Sequence, residues 1–280
     1  MIINLDKNFH PIKGKEIQYE SFTFSGGEPH VKIDSFPTDN GVTITHRIQS
    51  FNDLGLLSIA VDALKRMGTK EIDLFLPYFP GARQDRVMTE GESLTVKVYA
   101  NIINNYGLSS ITIFDPHSDV TPALLNNCSV INNHSFISEV VKDLPDDLIL
   151  ISPDAGASKK IIKLATALQM NQVVECGKNR DVKTGALSGF KVPVADLKGK
   201  PCLIVDDICD GGGTFMGLAE ELQQSNVGEL FLAVSHGIFS KGTQELDKYF
   251  KKIYTTDSFR SLDMGYNQIK LVDLTSSERK

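Results

Sequence analysis

The amino-acid sequence predicts an α/β fold in which mainly parallel sheets are flanked by helices. Short, continuously apolar runs recur along the chain, as they do in parallel strands that are buried on both faces. Between them lie segments with an apolar residue at every third or fourth position, which is typical of helices with one buried face. Because the two patterns alternate over nearly all 280 residues, we predict an α/β protein.

The elements can be assigned in chain order. Five apolar runs are predicted to be buried strands: EIDLFLPY (71–78), SITIFDPH (110–117), DLILISPD (147–154), KPCLIVDD (200–207) and ELFLAVSHG (229–237). Four other segments are predicted to be helices, with apolar repeats at Leu56, Leu57, Ala60, Val61 and Leu64 before Gly68; at Leu94, Val98 and Ile102 before Gly107; at Ile161, Leu164 and Leu168; and at Phe215, Leu218 and Leu222. A glycine just beyond such a repeat commonly ends the helix.

The chain is long enough for two domains of modest size. We expect an N-terminal domain of residues 1–140 and a C-terminal domain of residues 141–280. The boundary falls in NNHSFISEVVKDLPDD (132–147), a polar segment with little periodicity that we expect to be a linker.

Composition limits the possible partners. A net charge of −6 disfavours a broad surface for nucleic acid, so phosphate recognition should be local. We find neither an apolar signal segment at the N-terminus nor a membrane-length apolar run, and no membrane association is expected. The four cysteines form no CxxC pair, which favours reduced thiols and a cytoplasmic location.

Polar residues gather directly after four of the predicted strands, in PHSD, SPDAG, DDICDGGGT and SHG. In α/β sheets, ligands bind beyond the carboxyl ends of the strands. These four segments therefore mark the edge at which a functional site is predicted.

The segment LIVDDICDGGGTF (203–215) combines a strand, acidic residues and glycines before a predicted helix. Backbone N–H groups at such a junction can cradle a phosphate, and Gly211, Gly212 and Gly213 would let the backbone approach closely. The segment lacks the lysine of a Walker A loop, and its acids precede the glycines, unlike GxGxxG.

Paired carboxylates such as Asp206 and Asp207 can accept hydrogen bonds from a vicinal diol or hold a divalent cation. A ribose 5-phosphate moiety satisfies both halves of the motif, and an Asp-rich helix cap is the structural alternative.

The run VDDICDGGGT resembles the ribose-phosphate loop of phosphoribosyltransferases and of phosphoribosyl pyrophosphate synthetases. The matching residues are Asp206, Asp207, Asp210, Gly212, Gly213 and Thr214. Gly211 departs from the common threonine, which removes one hydroxyl contact to the 5-phosphate.

PYFPGARQDR (77–86) resembles a run of the synthetases that the transferases lack. The chain is therefore similar to the ribose-phosphate pyrophosphokinase family, which implies two phosphoribosyltransferase-like domains. Relative to that family, a usual C-terminal extension is expected to be absent.

The resemblance implies a nucleotide site. Arg83 and Gln84 match residues that contact ATP, and a guanidinium is well suited to a triphosphate. Within FDPHSD (114–119), His117 matches a histidine that meets the metal–nucleotide and acts in catalysis. FSGGEPHVKI (24–33) resembles an adenine-binding segment, with Phe24 stacking on the base and Glu28 accepting from its amino group, commonly across a subunit interface. A homo-oligomer is therefore expected.

The resemblance also implies the residues that support the chemistry. Mg²⁺ is the expected metal. Asp154 in SPDAG matches a magnesium-associated position, and His117 is expected to contribute to the same metal site. Lys178 and Arg180 in ECGKNRD occupy the K-x-R arrangement of a catalytic loop. Gly26 stands where an acid or amide is usual, so it bears on how the base is selected.

The implied reaction is ATP-dependent transfer of pyrophosphate to the anomeric hydroxyl of ribose 5-phosphate, with release of AMP. Gly211 and Gly26 reduce side-chain bulk, so ADP-ribose is an alternative acceptor, with a role in NAD synthesis. Two further alternatives are a catalytically silent regulatory subunit and a phosphoribosyltransferase. ARQDR argues against the transferase. The silent subunit is disfavoured because the catalytic-loop and metal positions are all present, namely Lys178, Arg180, His117 and Asp154.

Overall fold

A computed structural model describes residues 1–35, 41–180, 187–262 and 267–275, with the backbone alone for residues 178–180, 187, 188 and 275. It contains two compact units. The first comprises Met1–Asn132, Ser258–Ser261 and the chain from Lys270 onward, and the second comprises Asn133–Asp257 and Leu262–Ile269. Among the described residues, no helix is both long and apolar enough to cross a bilayer.

The first unit is built on a five-stranded sheet with all neighbours parallel, in the order β1-β4-β5-β6-β7. A separate antiparallel hairpin consists of β2 and β3. The strands are β1 (Ile2–Asn4), β2 (Tyr19–Thr23), β3 (Pro29–Ile33), β4 (Val42–Thr45), β5 (Ile72–Leu76), β6 (Ser110–Phe114) and β7 (Cys128–Ile131), and the helices are α1 (Phe51–Arg66), α2 (Thr95–Asn104) and α3 (Val120–Leu124).

The second unit has a six-stranded sheet, also with parallel neighbours, in the order β15-β14-β13-β12-β8-β9. The antiparallel pair β10–β11 forms a ribbon outside that sheet. The elements are α4 (His134–Val141), β8 (Ile149–Ser152), α5 (Ala155–Ala167), β9 (Val173–Glu175), β10 (Gly177–Arg180), β11 (Leu187–Lys191), β12 (Cys202–Cys209), α6 (Gly213–Gln224), β13 (Leu230–Gly237), β14 (Lys252–Thr256) and β15 (Asn267–Ile269). Helix α7 (Leu271–Thr275) belongs to the first unit.

The predicted fold class is confirmed, and each of the five predicted strands is present, as β5, β6, β8, β12 and β13. Helix α1 shows why its boundaries were predictable. The Ser50 side chain accepts a hydrogen bond from the Asp53 N–H at 3.3 Å, and Asp53 accepts one from the Ser50 N–H at 2.8 Å. Such a capping box satisfies backbone donors that a helix start otherwise leaves open. After the helix, Gly68 takes the left-handed φ of 89°.

The buried face predicted for α2 is wrong. Val98, the centre of the predicted repeat, is 45% exposed, whereas Val96, Tyr99, Ala100 and Ile103 are buried against the sheet. Apolar residues lie on more than one side of this ten-residue helix, so periodicity alone does not select the face that packs.

The predicted linker around residue 140 is also wrong in its local structure. Residues 134–141 form α4, whose buried side chains are Phe136, Ile137 and Val140. Their i, i+1, i+4 spacing is helical, but the polar residues on the outer face conceal it over so short a segment. The chain passes from the first unit to the second between Asn132 and Asn133, whereas the sequence prediction placed this passage near residue 140.

Candidate active site

In the first unit, two loops that leave adjacent strands hold three of the predicted residues. Strands β5 and β6 are parallel neighbours, with Leu76 paired to Ile113, so the chain leaves both strands at the same edge of the sheet. The loop after β5 exposes Arg83 and Gln84, and the loop after β6 exposes His117. Of the four segments predicted to mark a functional edge, PHSD follows β6 in this sheet, whereas the other three lie at the carboxyl ends of β8, β12 and β13 in the sheet of the second unit.

Asp85 connects these two loops. Its side chain is 3% exposed and accepts two hydrogen bonds from the Arg86 guanidinium, at 2.8 and 3.2 Å. These bonds, together with one from Ser118 and the nearby His117 imidazole, hold the Asp85 pKa below its ordinary value. Sequence reasoning did not single out Asp85, although a carboxylate within a basic run was a visible signal.

Gly81 shapes the loop that presents Arg83. Its φ of 72° lies in the left-handed region, and a β-carbon there would approach the Val96 amide nitrogen to 3.2 Å. A side chain at this position would be strained and would push against the start of α2. The glycine is therefore a backbone requirement of the loop.

The predicted adenine-binding residues lie on the β2–β3 hairpin. Phe24 is 52% exposed, and its ring contacts those of Phe22 and His30 at centroid distances of 4.8 and 5.7 Å. The Glu28 carboxylate turns back over Gly26, where a β-carbon would lie 2.5 Å from its oxygen. The glycine at position 26 thus makes room for this conformation of the glutamate.

In the second unit, strand β12 carries the predicted carboxylate pair in the middle of the sheet. It pairs with β8 on one side and β13 on the other, and it places Asp206 and Asp207 near its carboxyl end. The Asp207 N–H donates to the Asp206 carboxylate at 2.9 Å. Withdrawal from water raises the Asp206 pKa well above its ordinary value, and the neighbouring Asp207 and Asp154 carboxylates raise it further.

The glycine loop lies directly between β12 and α6. Gly212 caps α6 with a left-handed φ of 78°, and a β-carbon there would come within 3.0 Å of Leu246. Gly213 is exposed, with no atom within 4 Å of the position its β-carbon would take. The first backbone N–H groups of a helix have no carbonyl partner within the helix, so this end of α6 offers donors to an anion.

Asp154 has a structural role as well as a predicted metal role. It caps α5, and its Oδ1 accepts a hydrogen bond from the Ala157 N–H at 3.1 Å. In the described parts of the chain, no three His, Cys, Asp or Glu side chains are grouped as metal ligands. The carboxylates of Asp154, Asp206 and Asp207 interact electrostatically, and hard oxygen donors of this kind suit Mg²⁺.

The predicted K-x-R segment forms strand β10, and its backbone can be placed relative to α6. Lys178 is paired with Phe190 of β11. The Phe190 ring packs on Gly217, where a β-carbon would lie 2.7 Å from the ring. Gly217 is four residues, about one helical turn, beyond Gly213, so the ribbon and the glycine loop are attached to one end of the same helix.

These features define a class of protein. A parallel α/β sheet carries an acidic strand end that is followed by a glycine loop and a helix N-terminus, which is the arrangement of a phosphoribosyltransferase-type domain. Residues 148–268 match the family model of the phosphoribosyl transferase domain, and residues 11–107 match that of the N-terminal domain of ribose phosphate pyrophosphokinase.

The chain belongs to the ribose-phosphate pyrophosphokinase family. It is 31% identical to a ribose-phosphate pyrophosphokinase of Mycoplasma genitalium, over 99% of this chain and 85% of the relative. It is 32% identical to that of Mycoplasma pneumoniae, over 82% and 71% of the two chains. The crystal structure of phosphoribosylpyrophosphate synthetase from Mycobacterium smegmatis shares the fold, with a TM-score of 0.82, 22% identity and coverage of 99% and 96%.

Proposed function

We propose that this protein transfers a pyrophosphoryl group from ATP to the anomeric hydroxyl of ribose 5-phosphate, giving phosphoribosyl pyrophosphate and AMP. The observation that carries the proposal is the β12–α6 junction, which combines adjacent carboxylates with a glycine loop at a helix N-terminus. Membership in the ribose-phosphate pyrophosphokinase family supports the same reaction.

In this proposal the acceptor binds at the β12–α6 junction. Asp206 and Asp207 accept hydrogen bonds from the ribose 2- and 3-hydroxyls. The backbone from Asp210 to Gly213, with the Thr214 hydroxyl, surrounds the 5-phosphate, and Gly211 brings no side chain into that loop. This division explains why acids and a phosphate cradle follow one another in the sequence, since they serve opposite ends of one sugar.

The nucleotide would bind at the loops of the first unit. The exposed guanidinium of Arg83 and the amide of Gln84 would contact the phosphates, with His117 beside the metal–nucleotide. Phe24 offers an exposed ring for stacking, and Glu28 would accept from the adenine amino group. Asp85 would position the loops without touching ATP, because its carboxylate is occupied by Arg86 and Ser118.

Magnesium is the metal that the oxygen donors of the second unit fit best. Asp154 would hold it, with the remaining ligands coming from water and substrate oxygens, as is usual for this ion. When bound, Mg²⁺ neutralises charge on the phosphate chain. His117 would contact the metal–nucleotide from the loop after β6.

The chemical step needs alignment and charge neutralisation more than a covalent intermediate. The anomeric oxygen forms a bond to the β-phosphorus while the bond from that phosphorus to the oxygen of AMP breaks. AMP leaves with the electron pair, and the hydroxyl proton is released to solvent. Lys178 and Arg180 would offset the negative charge that develops on the transferred group.

One assay tests the reaction and its alternatives. Purified protein is incubated with MgATP and, separately, with ribose 5-phosphate, ADP-ribose, ribose or no acceptor, and AMP release is measured. We expect rapid release of AMP when ribose 5-phosphate is the acceptor and little release under the other three conditions. The relatives described above lend no support to ADP-ribose, so a preference for it would redirect the proposal.

Two further outcomes would contradict the proposal. No AMP with any acceptor would favour a silent regulatory subunit, and consumption of phosphoribosyl pyrophosphate with adenine would indicate a transferase.

Homo-oligomeric assembly and a cytoplasmic location stay predictions. Sedimentation analysis would determine the oligomeric state.

A further inference from the structure

We propose that Lys241 is a binding residue for the 5-phosphate of the acceptor, a contact that the sequence motifs did not assign. The inference deepens the proposed function and rests on it, because it names an additional residue of the same acceptor site. It is carried by the position of the lysine side chain over the glycine loop.

Lys241 lies against the residue at which the loop has no side chain. Its Cδ and Cε atoms are each 3.6 Å from the position that a β-carbon on Gly211 would take. The methylene groups therefore cover Gly211, and the ammonium group lies one bond beyond Cε. This arrangement brings a positive charge to the loop that is proposed to surround the phosphate.

The segment that carries Lys241 is fixed to the end of β12. The N–H groups of Ile238 and Phe239 donate to the Cys209 carbonyl at 2.9 and 3.1 Å, and the Ser240 N–H donates to the Asp210 carbonyl at 3.2 Å. Phe239 takes a left-handed φ of 45°, which is uncommon for an aromatic residue, and its side chain is 2% exposed. A buried anchor and three backbone hydrogen bonds thus set the position of the turn beside the loop.

The negative charges of the carboxylates and of the bound phosphate would be stabilised by a nearby cation. Asp206, Asp207 and Asp210 are all close in sequence to the loop that is to hold a phosphate dianion, and like charges at short range are unfavourable. Backbone N–H groups supply only partial positive charge. A lysine ammonium is a compact charge suited to phosphate, with a stem long enough to follow its ligand.

The Lys241 ammonium is also available for a ligand. Within the described segments it forms no ion pair or hydrogen bond with another residue. By contrast, Lys248, Lys251 and Lys252, the next three lysines along the chain, each pair with a carboxylate. The one lysine of this group that covers the glycine loop is thus the one without a carboxylate partner among the described residues.

The experiment compares K241M with K241R and K248M. K241M keeps most of the methylene stem and removes the charge, K241R restores a charge, and K248M removes a charge elsewhere in the same segment. We expect K241M to raise the KM for ribose 5-phosphate about 10- to 100-fold, the usual effect of losing a hydrogen bond between charged groups. Its kcat and its KM for ATP should change little. K241R should recover most of the affinity, and K248M should match the parent.

A second readout separates this inference from the proposed function. Calorimetric Kd values for ribose 5-phosphate and for ribose are measured with the parent and with K241M. A loss confined to ribose 5-phosphate supports the phosphate contact even if the parent releases no AMP, in which case the proposed reaction alone fails. If K241M binds ribose 5-phosphate as tightly as K248M, or if the parent does not bind it at all, the inference is overturned.

Discussion

Replacing Asp85 with asparagine removes one charge from the residue that connects the loops after β5 and β6. The amide keeps the shape of the side chain, but one of its two acceptor oxygens becomes an NH₂ group. In either orientation of the amide, that group faces one of the two Arg86 nitrogens, because each carboxylate oxygen accepts one hydrogen bond from the guanidinium. At least one of the two hydrogen bonds from Arg86 is therefore lost while the position remains buried.

The expected cost follows from the exposure of the two partners. A hydrogen bond that involves a charged group contributes about 1.5–3 kcal/mol, and solvent screening lowers this for exposed partners. Asp85 is 3% exposed and Arg86 is 69% exposed, so we expect a loss of about 2 kcal/mol in the free energy of unfolding. For a protein of this size, that corresponds to a decrease in Tm of roughly 4–8 °C.

The matched control is D62N. Asp62 also pairs with an arginine, Arg66, at 2.7 Å, but the two side chains are 61% and 78% exposed. Exposed i,i+4 pairs contribute little to stability, so D62N should change the Tm far less than D85N. The assay is thermal unfolding followed by circular dichroism for the parent, D85N and D62N, combined with the KM for ATP. D85N should also raise the KM for ATP, because the loops that present Arg83 and His117 lose their connection.

The pH dependence gives an independent check. The folded-state pKa of Asp85 is depressed, so its contribution to stability is fully present above the unfolded pKa of about 3.9 and is lost as the pH falls through the lower folded value. The stability difference between the parent and D85N should therefore be constant from pH 7 to about pH 5 and shrink at lower pH. Equal Tm values for D85N and D62N, with an unchanged KM for ATP, would refute the reasoning.

Three further substitutions give testable outcomes. K178A should lower kcat at least ~100-fold with little change in the affinity for ATP, and an unchanged kcat in rapid-quench measurements would remove this lysine from the mechanism. G212A should lower the free energy of unfolding by about 1–3 kcal/mol, because the position combines a left-handed φ with a close neighbour, whereas G213A should unfold like the parent. R47M should cost about 3 kcal/mol in urea unfolding, since Arg47 is 5% exposed and its loss leaves Asp6 without its ion pair at 2.5 Å. A loss of less than about 0.5 kcal/mol in the free energy of unfolding would show that the Arg47–Asp6 pair contributes no more than a typical surface ion pair.

Local signals explain which features of the fold were predictable. Continuous apolar runs bounded by polar residues identify the central strands, and the Ser50–Asp53 capping box with Gly68 marks both ends of α1. The short edge strands β1, β9 and β15 have only three residues each, too few for a periodic pattern. The face of α2 also depends on packing against the sheet, which a single sequence does not contain.

The residues of the candidate site also differ in whether a local sequence signal identifies them or their position depends on the fold. Asp206, Asp207 and the glycine loop form one contiguous run, so the sequence alone indicates their shared position at a strand–helix junction. Lys241 lies 30 residues after Gly211, and only the parallel pairing of β12 with β13 brings the two together. Asp85 stood inside a quoted motif, but its connection to Ser118 depends on the pairing of β5 with β6.

The contact between Phe190 and Gly217 has a consequence for how catalysis can be altered from a distance. A methyl group at position 217 would lie 2.7 Å from the Phe190 ring, so this ring would have to shift, and it belongs to the strand that pairs with the one bearing Lys178. The glycine loop, held at the start of α6, would keep its place. If the ribbon and the glycine loop have the roles proposed above, such a variant would still bind the sugar phosphate but turn it over slowly, and a change of one carbon would separate affinity from rate.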